Sequence, residues 1–76
     1  MKPIPNDIKM GKYRHFKGGE YELIAIARDS EDPDRFLAVY RALYGECEVW
    51  VRPLSMFTES VERDGRQIPR FSPVEV

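Results

Sequence analysis

Tight turns interrupt this chain so often that no long helix fits between them. Gly18-Gly19, Gly45 and Asp64-Gly65 each mark a turn, since glycine adopts positive φ without steric cost. The runs between these turns are short and rich in Val, Ile, Tyr and Phe, which favour strands. Turn signals about every eight to twelve residues therefore predict a small all-β domain.

The runs predict five to six short antiparallel strands. They cover residues 12–16, 20–28, 36–43, 47–52, 58–63 and 66–71. In 20–28 neither alternating set is cleanly polar, so we expect both faces of the middle of this strand to be at least partly covered. Pro53, followed by an apolar run, predicts one helical turn before the last hairpin. Closing the sheet would leave few unpaired edges, and the pattern is typical of a small barrel.

The chain of 76 residues suits one domain with a small core. We expect residues 1–10 to be a flexible lead-in, 11–72 to form the barrel, and 73–76 to be a C-terminal tail. The N-terminus has no apolar signal core, and no run approaches the ~20 apolar residues of a membrane helix. We therefore expect a cytoplasmic protein with no membrane partner.

Residues that could support catalysis or bind metal are scarce. Cys47 is the only cysteine, which excludes an internal disulfide, and its β-prone surroundings predict a buried thiol that packs as a small hydrophobe. One cysteine and one histidine, His15, fall far short of a zinc set or a catalytic triad. The acidic run 29–34 lacks the spacing of a calcium loop. We expect no metal, no cofactor and no enzymatic activity.

Alternation leaves two orientations open for the strand 36–43. Side chains in a strand point alternately to opposite faces. If Val39 and Leu43 face the core, Tyr40 and Tyr44 face outward, and Arg41 must escape at a barrel end or pair with an acid. If the tyrosines face the core instead, Arg41 lies on the surface. We favour the first orientation.

The next strand, 47–52, has a clearer pattern. Cys47, Val49 and Val51 form an apolar set that we expect to point inward, whereas Trp50 and Arg52 fall on the opposite face. With the favoured orientation of 36–43, an outward surface results. Its predicted members are aromatic or cationic: Tyr40, Tyr44, Trp50, Arg52, Arg14 and His15.

This surface predicts binding rather than catalysis. Exposed aromatics beside arginine are typical of interface hot spots and of single-stranded nucleic-acid sites. Alternatively, the rings only cover a small core. A formal net charge of −1 gives no overall attraction for polyanions, so a protein or peptide partner is our first interpretation. An RNA or nucleic-acid partner is the alternative, and a metabolite sensor or enzyme is a third. The oligomeric state stays open.

Four ordered blocks of this sequence resemble a known family. They are GKYRHFKGGEY at 11–21, VYRALYG at 39–45, WVRPLSMF at 50–57 and PRF at 69–71. Together they resemble the bacterial family catalogued as domain of unknown function 1653. The resemblance implies a compact SH3-like barrel and a small stand-alone bacterial protein. It implies no activity, because the family has none established, and residues before Gly11 lie outside the shared pattern.

Overall fold

The computed structural model describes residues 2–74 and contains seven strands and one short helix. In chain order they are β1 (Gly11–His15), β2 (Glu20–Arg28), β3 (Phe36–Ala42), β4 (Val49–Pro53), α1 (Leu54–Phe57), β5 (Ser60–Arg63), β6 (Arg66–Pro69) and β7 (Phe71–Pro73). The all-β prediction is confirmed, and the helical turn lies before the last hairpin as predicted. No helix within this described part is long and apolar enough to cross a membrane.

Five strands form one antiparallel sheet in the order β4-β3-β2-β1-β7, while β5 and β6 form a separate hairpin. After the helical turn and this hairpin, β7 returns to the first strand, with Phe71 opposite His15. This is the arrangement of a small SH3-like barrel. Strands β4 and β7 lie at the two ends of the sheet, so the outer edge of β4 pairs with no strand of residues 2–74.

The predicted strand 66–71 is two strands separated at Arg70. The amide of Arg70 donates to the carbonyl of Glu59, and its own carbonyl accepts from the amide of Phe16. These two bonds direct the chain from the hairpin to the sheet, where Phe71 begins β7. One predicted strand thus becomes two, which explains why seven strands form where at most six were expected.

Both segments outside the predicted barrel make defined contacts. Residues 2–10 form no strand or helix, but Ile8 packs against the core. At the other end, Pro73 belongs to β7 rather than to a tail, and the amide of Val74 donates to β1. Met1 and the predicted tail residues 75–76 lie outside the described residues.

The core lies between one face of the sheet and α1. Its buried members are Tyr13, Leu23, Ala38, Tyr40, Leu54, Phe57 and Phe71. The rings of Phe57 and Phe71 stack with centroids 4.2 Å apart and planes inclined by 10°. A helix of only four residues therefore stabilises the domain by inserting Leu54 and Phe57 into this core.

A β-bulge in β2 changes which residues face the core. Leu23 lies opposite Tyr40, but Ala25 lies opposite Val39, so Ile24 has no partner in the ladder. Leu23 is buried, whereas Ile24 and Ala25 are exposed. The expected partial cover of the middle of this strand therefore holds for Leu23 and Ile26 but not for Ile24 and Ala25. At the bulge the alternation between core-facing and solvent-facing residues shifts by one position, and the outer face of the sheet is exposed to solvent there.

Candidate binding site: an aromatic pocket with an arginine

Strand β3 places Tyr40 in the core. Tyr40 is only 6% exposed, and its ring centroid lies 5.7 Å from that of Phe71. Arg41 and Leu43 are exposed, while Val39 is only partly buried. The favoured orientation of this strand is therefore wrong, and the alternative is right for Tyr40 and Arg41, whereas Tyr44 in the following turn is half exposed. A guanidinium is far more costly to bury than a tyrosine ring, which explains the outcome.

Strand β4 is also reversed relative to the prediction, yet both of its faces reach solvent. Trp50 lies opposite Tyr40 in the ladder, so its indole is on the core-facing side of the sheet. Val49 and Val51 point the other way and are 55% and 59% exposed, so the expectation that they face inward is wrong. Trp50 nevertheless remains 50% exposed, because β4 is an edge strand.

Cys47 is not part of β4. Its φ of 54° places it in the left-handed region within the turn that precedes the strand, and its side chain is exposed. The prediction of a buried thiol is therefore wrong. Strand pairing begins only after the amide of Cys47 has donated to the carbonyl of Tyr44, which closes the turn.

The core-facing side of β4 and its neighbours forms an open pocket of about 250 Å³. Its lining residues are Tyr21, Tyr40, Tyr44, Trp50 and Arg52. Tyr40 is buried, whereas Tyr44 and Trp50 are half exposed. Four of the six predicted site residues thus come together, although on the side of the sheet opposite to the one expected.

Tyr21 is the pocket residue that sequence reasoning missed. Its phenol oxygen lies 2.5 Å from that of Tyr44, and its ring meets the edges of Tyr40 and Phe71. The hydrogen bond with Tyr44, together with burial, raises the pKa of Tyr21 to about 12. Tyr21 is therefore a neutral phenol at physiological pH, with its hydroxyl engaged by Tyr44.

Gly19 lies directly beside this pair of tyrosines. A Cβ at Gly19 would lie 3.3 Å from a ring carbon of Tyr21 and 3.4 Å from one of Tyr44. The predicted turn explains Gly18, whose φ is +105°. Gly19 has a different reason to be glycine, since the absence of a Cβ leaves room for both rings.

Arg52 brings a positive charge to the pocket. Its Nε donates a hydrogen bond to the hydroxyl of Tyr40 at 3.3 Å. None of the salt bridges formed among residues 2–74 includes Arg52. A guanidinium has five donors in a planar fork that suits a carboxylate. The pocket therefore combines aromatic faces with a cation that has no anionic partner in the described chain.

A second open cavity of about 280 Å³ adjoins the pocket and shares Tyr44 and Trp50 with it. Glu46 and Glu48 line this cavity, and neither forms a salt bridge with any other residue that the structure describes. Along the chain, Trp50 therefore has an acidic side chain, Glu48, on one side and a cationic side chain, Arg52, on the other.

Arg14 does not reach the pocket. It lies on the solvent-facing side of β1, where its side chain forms a salt bridge of 3.3 Å with Glu20. The same bond lowers the pKa of Glu20. Arg14 therefore lies outside the surface that the sequence predicted for it.

His15 lies near the pocket but does not line it. Its ring packs edge-on against Phe71 with centroids 4.9 Å apart, and its Nδ1 accepts a hydrogen bond from the amide of Lys17. Burial lowers the pKa of His15, and the charges of Arg70, Arg52 and Lys17 lower it further.

Within residues 2–74, no three His, Cys, Asp or Glu side chains cluster so as to hold a metal ion.

Comparison with known proteins is consistent with this fold. The model of a family described as "Protein of unknown function (DUF1653)" matches residues 11–73. A crystal structure of a DUF1653 protein from Bordetella bronchiseptica is similar, with a TM-score of 0.79 and 34% sequence identity over 90% of this chain and 88% of that one. No curated protein is significantly similar to the chain. The family match spans β1 to β7, and the chain therefore belongs to the DUF1653 family.

Proposed function

We propose that this protein is a non-catalytic binding module of the bacterial cytoplasm. Its ligand is an extended segment of a protein partner that places a carboxylate on Arg52. The observation that carries the proposal is the guanidinium of Arg52, which is held by Tyr40 beside two half-exposed aromatic rings and has no acidic partner in residues 2–74.

The size of the pocket favours a peptide over a metabolite. Pockets for small molecules usually enclose about 300–1,000 Å³ and bury most of the ligand. This pocket has a volume of about 250 Å³ and is open. It accommodates one side chain, so the rest of the ligand would lie on the surface beside Trp50. That is how extended peptides are recognised.

The chemistry of the pocket favours an acidic side chain or a C-terminal carboxylate. Arg52 supplies a forked donor, and aromatic rings surround it on the core-facing side of β4. A cationic ligand would be repelled by Arg52. The aromatic rings of Tyr44 and Trp50 provide area for an apolar neighbour of the acidic residue, as in interface hot spots.

The test is a titration of Trp50 fluorescence with short peptides that carry Asp or Glu beside an apolar residue. Matched peptides carry Asn or Gln instead. We expect binding of the acidic peptides, loss of binding in Arg52→Gln, and full binding in Arg41→Gln, which removes an exposed arginine from the other face of the same hairpin. Equal binding of acid and amide peptides, or unchanged binding in Arg52→Gln, would refute the proposal.

A nucleic-acid ligand is the second candidate, and one observation favours it. The cationic groups of Lys17, Arg63 and Arg70 lie 5.8–6.0 Å from the ring centroid of Phe16. Arg70, however, is already paired with Glu59 at 2.7 Å. A nucleic-acid complex would weaken steeply between low and moderate salt, whereas a peptide complex with one ion pair would not.

A further inference from the structure

The outer edge of β4 carries unpaired backbone groups that the pocket does not use. The amide of Ala42 donates to the carbonyl of Glu48, so in this antiparallel ladder the peptide groups of Glu48, Trp50 and Arg52 face β3. Those of Val49 and Val51 face away from the sheet. No backbone group of residues 2–74 outside the ladder bonds to them. Two amides and two carbonyls therefore form a row at the open edge.

We propose that this edge pairs with β4 of a second copy of the chain, antiparallel, about a two-fold axis at Trp50. In that register Val49 of each copy lies opposite Val51 of the other. Such pairs exchange both backbone hydrogen bonds, so all four edge groups are satisfied in each copy. The two five-stranded sheets then become one continuous sheet, which is a closed and symmetric way to bury an edge.

Charge selects this register. It places Glu48 of each copy opposite Arg52 of the other, on the same face as Trp50. Neither side chain has an ion-pair partner among the residues that the structure describes. Opposite charges directly across a strand pair are stabilising and like charges are destabilising. A shift of the register by two residues would separate both pairs, so the symmetric alignment is the complementary one.

Apolar surface supports the same pairing. Val49, Trp50 and Val51 are each at least half exposed and lie next to one another along the edge. Natural edge strands usually prevent such pairing with lysine, proline or a bulge. Residues 49–52 contain no lysine and no proline, and Pro53 follows only at the end of the strand. At Val49 and Val51, which carry the open backbone groups, the edge has no lysine, proline or bulge to block pairing.

The dimer does not depend on the proposed peptide ligand, but the two share Arg52. In the dimer Arg52 is paired with Glu48 of the second copy, so an acidic peptide must displace that carboxylate. Self-association and ligand binding therefore compete. Edge pairing through one short strand is a small interface, so we expect a dissociation constant on the order of 0.1 mM.

Sedimentation equilibrium of the full chain tests the dimer by charge exchange. We expect Glu48→Arg and Arg52→Glu each to weaken association about tenfold or more, because two attractive pairs become two repulsive ones. The double variant Glu48→Arg with Arg52→Glu restores the complementary pairs and should return to within about threefold of the original constant. Glu62→Arg, an equal charge change at an exposed position of β5, should have no effect.

The inference would be overturned by a chain that stays monomeric near 1 mM. It would also be overturned if the single charge exchanges did not weaken the dimer, or if the double exchange did not restore it. Peptide titration of the same variants separates it from the proposed function. Glu48→Arg keeps Arg52 and should bind acidic peptide as a monomer, whereas the double variant should dimerise without binding it. Dimerisation without any peptide binding in the original chain would refute only the proposed function.

Discussion

The phenol oxygens of Tyr21 and Tyr44 lie 2.5 Å apart. Their hydrogen bond joins β2 to the turn that follows β3, and it connects a mostly buried ring to a half-exposed one. This hydrogen bond is the largest cause of the rise in the pKa of Tyr21 to about 12, and burial adds to it. The bond positions Tyr44 in the pocket before any ligand arrives, which lowers the entropic cost of binding.

Replacing the partner of Tyr21 should reveal this bond directly. In Tyr44→Phe we expect the pKa of Tyr21 to fall from about 12 toward the ordinary value of 10.0. The fall follows because the hydrogen bond is the largest cause of the shift. Ring chemical shifts in an NMR titration measure it. Tyr13→Phe removes a phenol elsewhere in the core and should leave Tyr21 unchanged, and an unshifted Tyr21 in Tyr44→Phe would contradict the prediction.

Tyr40→Phe should separate ligand binding from stability. The substitution keeps the buried ring but removes the hydroxyl that accepts from Arg52, so we expect a loss of about 0.5–1.5 kcal/mol in the free energy of unfolding. Peptide affinity should fall several-fold because Arg52 loses its anchor. Tyr13→Phe is the control, since Tyr13 donates to the carbonyl of Lys9, remote from the pocket. Urea unfolding and fluorescence titration measure the two effects, and equal peptide affinity in both variants would show that Tyr40 does not position Arg52.

Two neighbours on α1 should differ strongly in their effect on stability. Phe57 is 1% exposed and stacks on Phe71, so Phe57→Ala should cost about 3–5 kcal/mol. Met56 is 43% exposed, so Met56→Ala should cost well under about 1 kcal/mol. Denaturant unfolding measures both. Similar losses at the two positions would mean that α1 does not contribute to the core as described.

His15 should make the domain less stable in mild acid. The pKa of His15 is lowered in the folded state, so near the ordinary histidine value of 6.5 the folded chain binds fewer protons than the unfolded chain. The stability contributed by neutral His15 is therefore complete above about pH 6.5 and is lost as pH falls through the lowered pKa. As the pH falls from about 8 to about 5, the free energy of unfolding should decline less in His15→Gln than in the original chain. Parallel curves for the two proteins would contradict this assignment.

Local patterns predict most of the strands and the helix. They do not predict which face of a strand meets the core where tertiary packing decides it. The bounds of β2 match the predicted strand, and α1 lies where the apolar run after Pro53 indicated. The predicted orientation of β3, with Val39 and Leu43 in the core, is wrong. Arginine is almost never fully buried, so Arg41 was the stronger signal and would have placed Tyr40 inward.

Strand β4 shows a different limit of prediction from sequence. Val49, Trp50 and Val51 are all apolar and all exposed, so alternation in β4 carries no information about which face meets the core. Tyr21 was missed for a related reason. Its position beside Tyr44 depends on how β2 pairs with β3, and the bulge at Ile24 shifts that register. Nothing in the local sequence marks the bulge.

The turn before β4 has a practical consequence. Cys47 is the only cysteine of the chain, is exposed, and lines the same cavity as Trp50, the only tryptophan. A thiol-reactive dye would therefore attach at one place, next to the single indole. The dye and the indole thus form a pair of fluorescence reporters in the unmutated protein. Quenching between them can report whether a ligand is bound at this surface.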